Sequence, residues 1–418
     1  MSSGAGGEQA RNTADAVARR SYGKLVAFLA AQTRDVASVE DALSEAFAAA
    51  LADWPRNGCP ANPEGWLLTA ARRKLIDFAR RRRTGDLAGG ELQRLAQELE
   101  AATADAAGEM HIPDQRLALM FACAHPAIDA GVRAPLILQA LLGLDAAMIA
   151  SAFLTSPPTM GQRLVRAKEK IRKAGIPFRI PEREELPGRL DAVLDAIYAA
   201  FSEGWADSGG TDVARRDLAE EALFLGQLIT QLLPDEPEAL GLVALMLHVE
   251  ARRPARRNTL GEYVPLAEQD IEVWNGAMID AAEALLLRAS TLNRIGRYQL
   301  EGALQSAHMF RRRTGETNWT SVLQIYDALL ALSGSPVVAI NRALALAEVN
   351  GAAAGLGALE ELTSDSRLTE YQPYWAARAE LLARTGAHSD ARQAYEVAIG
   401  LERDPAVRRF LQQRQAGL

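Results

Sequence analysis

The sequence predicts an all-α protein, on three observations. Apolar residues recur at helical spacing along almost the whole chain. Aromatics make up only 6% of the 418 residues while alanine is abundant, a composition that suits helices. No run of alternating Val, Ile and Thr bounded by Asn-Gly or Asp-Gly turns marks a strand or hairpin. The length exceeds what one ordinary core fills, so several domains are expected: two small helical domains, then a helical-repeat domain.

The first domain is read over residues 10–84. Leu43, Phe47, Leu51 and Trp54 recur at intervals of 4, 4 and 3, and Leu68, Ala71, Leu75 and Phe78 at 3, 4 and 3. Pro55, Gly58, Pro60 and Pro63 break the chain between these helices. Residues 85–112 carry six acids against one arginine, with many small residues, and read as an acidic linker.

The second domain is read over 113–180. Asp145 to Phe153 forms a short helix with Ile149 and Phe153 inward and the small Ala150 at a crossing. Leu154-Thr155-Ser156 is a tight turn, Ser156 can cap the next helix, and Pro157 suits its first position. The helix that follows completes a helix-turn-helix pattern, whose second helix enters a major groove N-terminus first. Gly175 to Pro181 is an extended joint, because proline keeps the residue before it out of the α region.

The third domain is read over 181–418. Tyr395, Ala398, Leu401 and Pro405 share their spacing with Tyr326, Leu329, Leu332 and Pro336, 69 residues earlier. That separation is two periods of a tetratricopeptide (TPR) repeat. Trp375, Gly386 and Ala391 extend the pattern in the last unit, which predicts a TPR-like array with a groove for a peptide or protein ligand.

The formal net charge of −7 hides an asymmetry. Residues 1–180 carry +4 and residues 181–418 carry −11. Between Arg72 and Arg83 stand seven basic residues and one acid; between Arg163 and Lys173 stand six and one. Two basic helices, each keeping an apolar stripe, can dock on a core while presenting cations to phosphates. The simpler account, solvated faces or cations serving helix dipoles, fits one such helix better than two. On the second, Gln162 and Arg163 are candidates for base edges, since Arg suits guanine and Gln adenine, and Thr159 belongs to the same DNA-facing surface. Arg166, Lys168 and Lys170 would hold phosphates.

Other chemistries find little support. Two cysteines exclude a disulfide scaffold and suit a reducing cytoplasm. The first residues lack the pattern of a signal peptide, and the longest apolar-rich stretch, Ala134 to Phe153, is interrupted by Gln139 and Asp145, so no membrane association is expected. Cys123 and His125 have no second ligand pair, so no metal is expected. HExxH, GxSxG and P-loop patterns are absent, so neither an enzyme nor a cofactor is expected.

Asp41-Ala-Leu-Ser-Glu45-Ala-Phe47, then Trp54, then Pro63-Glu-Gly-Trp66-Leu-Leu-Thr-Ala-Ala-Arg72-Arg73-Lys74-Leu-Ile-Asp77 resembles region 2 of extracytoplasmic-function (ECF) RNA polymerase sigma factors. Gln162-Arg163-Leu-Val-Arg166-Ala-Lys168-Glu-Lys170-Ile-Arg172 with its upstream helix resembles their region 4. The joint and the repeat domain resemble the subgroup with a long C-terminal helical extension. The resemblance implies partners, core RNA polymerase and promoter DNA. Asp41, Ser44 and Glu45 would face the polymerase β′ clamp helices. The loop before Trp66 and the helix from Trp66 to Arg83 would read the −10 element, with Asn62 at a pocket for an extruded base. Trp66 belongs to this reader, and Arg73, Lys74, Asp77 and Arg80 would track the opened strand. The helix-turn-helix domain would dock on the β flap and read the −35 element, and the extension would regulate activity or bind a partner. A helix-turn-helix regulator with a TPR sensor that never joins the polymerase, or a TPR scaffold whose basic helices bind acidic proteins, is the competing account.

Overall fold

The computed structural model describes residues 2–83, 114–153, 155–205 and 213–418, and among these it is all-α, with one isolated bridge, Arg257 to Tyr263, and no strand. The chain divides into two compact units, Met1–Gly204 with Asp217–Ala219, and Trp205–Arg216 with Glu220–Leu418. The expected domains 10–84 and 113–180 lie in the first unit together with the helix that follows the joint. In that helix Arg189, Leu190, Val193, Leu194, Ile197 and Phe201 are all buried, and Arg189 reaches back to donate to the Phe121 carbonyl at 3.3 Å. The linker 85–112 and Leu154 of the expected turn lie outside the described residues.

The first unit holds α1 (Ser2–Thr33), α2 (Val36–Asn57), α3 (Pro63–Arg83), α4 (Arg116–Cys123), α5 (Ala130–Leu142), α6 (Ala146–Ala152), α7 (Pro157–Ala174) and α8 (Pro187–Trp205). α1 ends where Arg34 turns to φ +53°, and Asp35 caps α2 by accepting from the Ser38 N–H at 3.1 Å. The buried face of α2 is Val36, Val39, Ala42, Leu43, Ala46, Ala50 and Trp54. Leu51, expected on that stripe, is 47% exposed. Small alanines, Ala42, Ala46 and Ala50, line the seam here, so the buried stripe runs beside the larger Leu51 and not through it. Pro55 does not break α2; it sits in the last turn, which the Gly58 N–H closes on the Trp54 carbonyl.

In α3, Leu68, Ala71 and Leu75 are buried as expected, but so is Arg72, at 1% exposure. Its guanidinium lies 5.3 Å from the Phe28 ring, so Arg72 is a packing residue and not one of the outward cations. Burial pushes its pKa below the usual arginine value.

The second unit continues with α9 (Val213–Leu232), α10 (Pro237–Ala251), α11 (Gly276–Thr291), α12 (Arg297–Met309), the single turn α13 (Arg311–Thr314), α14 (Trp319–Ser333), α15 (Pro336–Asn350), α16 (Ala352–Glu360), α17 (Gln372–Arg384), α18 (His388–Leu401) and α19 (Pro405–Ala416). Successive helices from α14 to α19 pack on one another, as a stacked array does. In α17 and α18 the turn glycine Gly386 takes φ +83°, Ala391, Tyr395 and Ala398 are buried, and the Tyr395 hydroxyl donates to Glu380 at 3.1 Å. Pro336 and Pro405 both open helices, and Leu329 is buried. Leu332 departs from the pattern, at 54% exposure.

Between α10 and α11 runs an irregular segment of 3-10 turns fastened by arginines. Arg252 donates to Gln305 at 2.7 Å, Arg256 to the Trp205 carbonyl at 2.7 Å, and Arg311 to the carbonyls of Ala267 and Gln269. Its far side meets α19: Arg257 pairs with Asp404 at 2.8 Å, and Tyr263 packs edge-on against Phe410.

Candidate functional site

Three surfaces of the first unit carry the expected site residues. On α2, the 3 and 4 spacing places Asp41, Ser44 and Glu45 on one exposed face, opposite the buried seam.

The second surface is α3 with the loop before it. Asn62, expected at a base pocket, caps α3: its side-chain oxygen accepts from the Gly65 N–H at 2.9 Å, and Pro63 takes the first helical position. Trp66 is half-buried and stands edge-on to the buried Trp54, ring centroids 5.5 Å apart at 70°. Arg73 and Asp77 are exposed. Lys74 is half-buried and pairs with Glu45 Oε2 at 2.7 Å, so it is shared between the α2 and α3 faces. Arg80 is within α3, but its side chain lies outside the described residues.

The third surface is the pair α6 and α7, where the sequence predicts a helix-turn-helix. Asp145 caps α6 by accepting from the Ala147 and Met148 N–H groups at 2.9 and 2.8 Å. Ile149 and Ala150 are buried, and Phe153 is half-buried. Pro157 opens α7, but the Ser156 hydroxyl does not cap it; that oxygen lies 2.7 Å from Thr159 Oγ1. Met160, Leu164, Ala167 and Ile171 face the core at intervals of 4, 3 and 4. Gly175, in the left-handed region at φ +61°, ends the helix, and the Ile176 N–H returns to the Ile171 carbonyl with Ile176 buried beside it.

Thr159, Gln162, Arg163, Arg166 and Lys170 are exposed along α7. Lys168 is not with them. Its ammonium bonds the Glu40 carboxylate of α2, and the two side chains are only 11% and 17% exposed. Lys168 is thus withdrawn from the cationic face on which it was expected. Burial pushes the Glu40 carboxyl above its ordinary value, with Lys168 pulling the other way. Burial, then Glu40 and Asp41, push the nearby Tyr22 phenol up. Glu40 was missed in the sequence because nothing in its spacing separates it from a surface acid.

The second unit holds a buried polar cluster, in which His248 and His308 pack on helical patterns beside Arg252. His248 is fully buried, and burial followed by Arg252 lowers its pKa to about 4. His308, edge-on to Trp319, is lowered to about 4 by the same two causes, with Arg311 adding. Among the described residues, no group of three or more His, Cys, Asp or Glu is placed to hold a metal ion, and no helix is long and apolar enough to cross a membrane.

Residues 17–84, which contain the first two surfaces, match sigma-70 region 2, the domain of RNA polymerase sigma factors that engages core polymerase and promoter DNA. Residues 189–290, from α8 into α11, match a family of unknown function, DUF6596. Over 369 residues the chain is 37% identical to an uncharacterised protein, R00370, of Rhizobium meliloti (strain 1021), covering 88% of this chain and 87% of that protein. No solved structure matches. The chain therefore carries the region 2 domain of a sigma factor, and it belongs to the same family as R00370.

Proposed function

We propose that the protein is a sigma factor of the ECF type that recruits core polymerase to promoters, reading the −10 element with α3 and the −35 element with α7, inside the cytoplasm. The observation that carries this is the order of parts. A sigma-70 region 2 domain comes first, with its acidic α2 face and basic α3 beside each other. A helix-turn-helix with an exposed cationic face follows in the same chain. Asp41, Ser44 and Glu45 meet the β′ clamp helices. Arg73, Lys74, Asp77 and Arg80 follow the opened strand, with Trp66 and Asn62 at its entry. Thr159, Gln162, Arg163, Arg166 and Lys170 reach the duplex, while Lys168 is held by Glu40. No bond is made or broken by the protein itself; it positions DNA for the polymerase.

The second unit serves as a TPR-like regulatory or partner-binding domain in this reading. Its net acidity and its stacked helices support that role.

Purified protein mixed with core polymerase should co-elute with it and direct transcription from particular promoters. Permanganate should then detect unpaired thymines near −10. Protection of duplex DNA without core polymerase, and no dependence on it, would favour a conventional helix-turn-helix regulator.

A further inference from the structure

α10 is buried on every side, with Ala239 through His248 all packed against neighbours. Such a helix has no solvent face to offer its last side chains. Arg252, at its C-terminal cap, is carried inward with it and is 7% exposed. Pro254 has no N–H with which to continue the α-helix, and the chain turns through a 3-10 helix, Arg253–Arg256, that sets Arg256 near Arg252.

Among the described residues of the second unit, every buried side-chain nitrogen or oxygen without a hydrogen-bond partner lies between Trp205 and Trp274. Arg252 is central to them. It donates to the Gln305 side chain, a neutral acceptor, and its Nε has no partner. Arg256 donates to the Trp205 carbonyl, also neutral, and its guanidinium carbon lies 3.7 Å from the Trp205 ring centroid. The Trp205 indole N–H is itself buried without a partner. The acids nearby are engaged elsewhere. Asp404 holds Arg257 at 2.8 Å and caps α19, Glu402 accepts from the Asp404 N–H at 2.8 Å, and Glu283 accepts from the Ser306 hydroxyl at 2.6 Å. Burial, then Arg256, lowers the Arg252 pKa to about 10, and burial lowers that of Arg256. The Tyr263 phenol, raised by burial, feels both guanidiniums.

Two inward cations with neutral partners are costly, because hydrogen bonds to neutral groups do not replace a counter-charge. A carboxylate would neutralise one of them. A tetrahedral oxyanion of charge near −2 neutralises both and accepts from their planar forks. We propose that the second unit binds a phosphate group at Arg252 and Arg256, with the Tyr263 hydroxyl and the Trp205 N–H as neighbouring donors. Residues 181–418 carry −11 and repel anions in general, so this affinity belongs to the site. Bound phosphate ties the irregular segment to α10 and stabilises the folded unit by mass action. The inference is independent of how the first unit meets DNA.

The test uses the full-length chain with isotope-labelled indoles, dialysed into phosphate-free buffer. A denatured sample is assayed first for phosphate carried through purification. The native chain is then titrated with inorganic phosphate, with glycerol phosphate, and with chloride at matched ionic strength. Phosphate should shift the Trp205 indole signal saturably and raise the melting temperature above the chloride control, while Trp54 and Trp66 of the first unit stay unmoved. A stronger response to glycerol phosphate than to the free ion would support the proposal and assign the group to a larger ligand. Arg252→Gln should weaken binding roughly tenfold to a hundredfold, the range for a hydrogen bond to a charged group. Should that variant fail to fold, Arg256→Lys, which keeps the charge and loses the fork, should weaken binding about tenfold. A chain that yields no phosphate on denaturation and answers phosphate no differently from chloride would overturn the proposal, leaving the arginines as fasteners of neutral groups alone. So would equal responses from the parent and the folded variants.

Discussion

Lys74 Nζ lies 2.7 Å from Glu45 Oε2, so a residue of the candidate DNA face is held by a residue of the candidate polymerase face. Both side chains are nearly half exposed, and such a pair contributes at most about 1 kcal/mol to folding. Its significance is positional. Lys74→Met is therefore expected to leave the melting temperature within a few degrees of the parent, while weakening open-complex formation with core polymerase bound. A large fall in thermal stability would instead make the pair a folding element.

Asn62 offers a separation of roles. Its oxygen caps α3, and aspartate caps as well as asparagine. Asn62→Asp should keep the fold, whereas Asn62→Ala should cost roughly 1 kcal/mol of stability. If Asn62 also touches an extruded base, Asn62→Asp will slow promoter opening without changing the melt. Equal promoter opening by Asn62→Asp and the parent would confine Asn62 to capping.

On α7, Arg163 and Lys170 share a flank, and the proposed function gives them different tasks. Arg163→Ala is expected to cost roughly 1–3 kcal/mol and to relax discrimination at one base position, whereas Lys170→Ala weakens binding evenly across sequences and lowers the salt slope. Selection of promoter sequences with each variant measures both. Sequence-independent losses from the two would remove Arg163 from the base-reading set.

In the second unit, α10 and α12 cross at Gly241, where a Cβ would lie 2.5 Å from the Gln299 nitrogen and 2.8 Å from its Cα. Backbone cannot yield as a side-chain tip can, so Gly241→Ala should destabilise this unit by about 1–3 kcal/mol. Denaturant unfolding followed by the tryptophans of this unit would show it. An unchanged midpoint would contradict the packing.

The second unit should also weaken in mild acid. Burial and Arg252 hold His248 and His308 at about 4, below the ordinary 6.5. Glu283 stands 3.4 Å from His248 Nε2, but the burial cost outweighs it. A depressed value means the folded state resists protonation that the unfolded chain accepts. The stability they contribute is complete above 6.5 and is lost as pH falls toward 4, by at most about 3 kcal/mol for each residue. Thermal melts between pH 7.5 and pH 4.5, about the range spanned by these values, should show this slope. His248→Gln should flatten it, and a parent stability independent of pH would contradict the burial.

What was legible in the sequence was local. Pro157 bounds the start of α7 by backbone chemistry that needs no neighbour, whereas Gly175, expected in an extended joint, takes φ +61° and ends the helix. Asp41, Ser44 and Glu45 share a face by helical geometry alone. The turn at Gly386 and the small residues Ala391 and Ala398 likewise mark the α17–α18 hairpin from sequence.

The tertiary structure decided which charges are spent. Arg72 and Arg73 are indistinguishable as letters, yet one is sealed against Phe28 and the other faces solvent, because a helix turns about 100° per residue and only packing fixes where the core lies. Lys168 and Lys170 part in the same way, one meeting Glu40 and one left to water. The sequence by itself determined an all-α chain with a sigma-type front and a helical array behind. Whether the two front domains stand apart or grip each other depends on contacts between residues more than a hundred positions apart. Neither composition nor periodicity carries that information, because both describe only what neighbours along the chain can do.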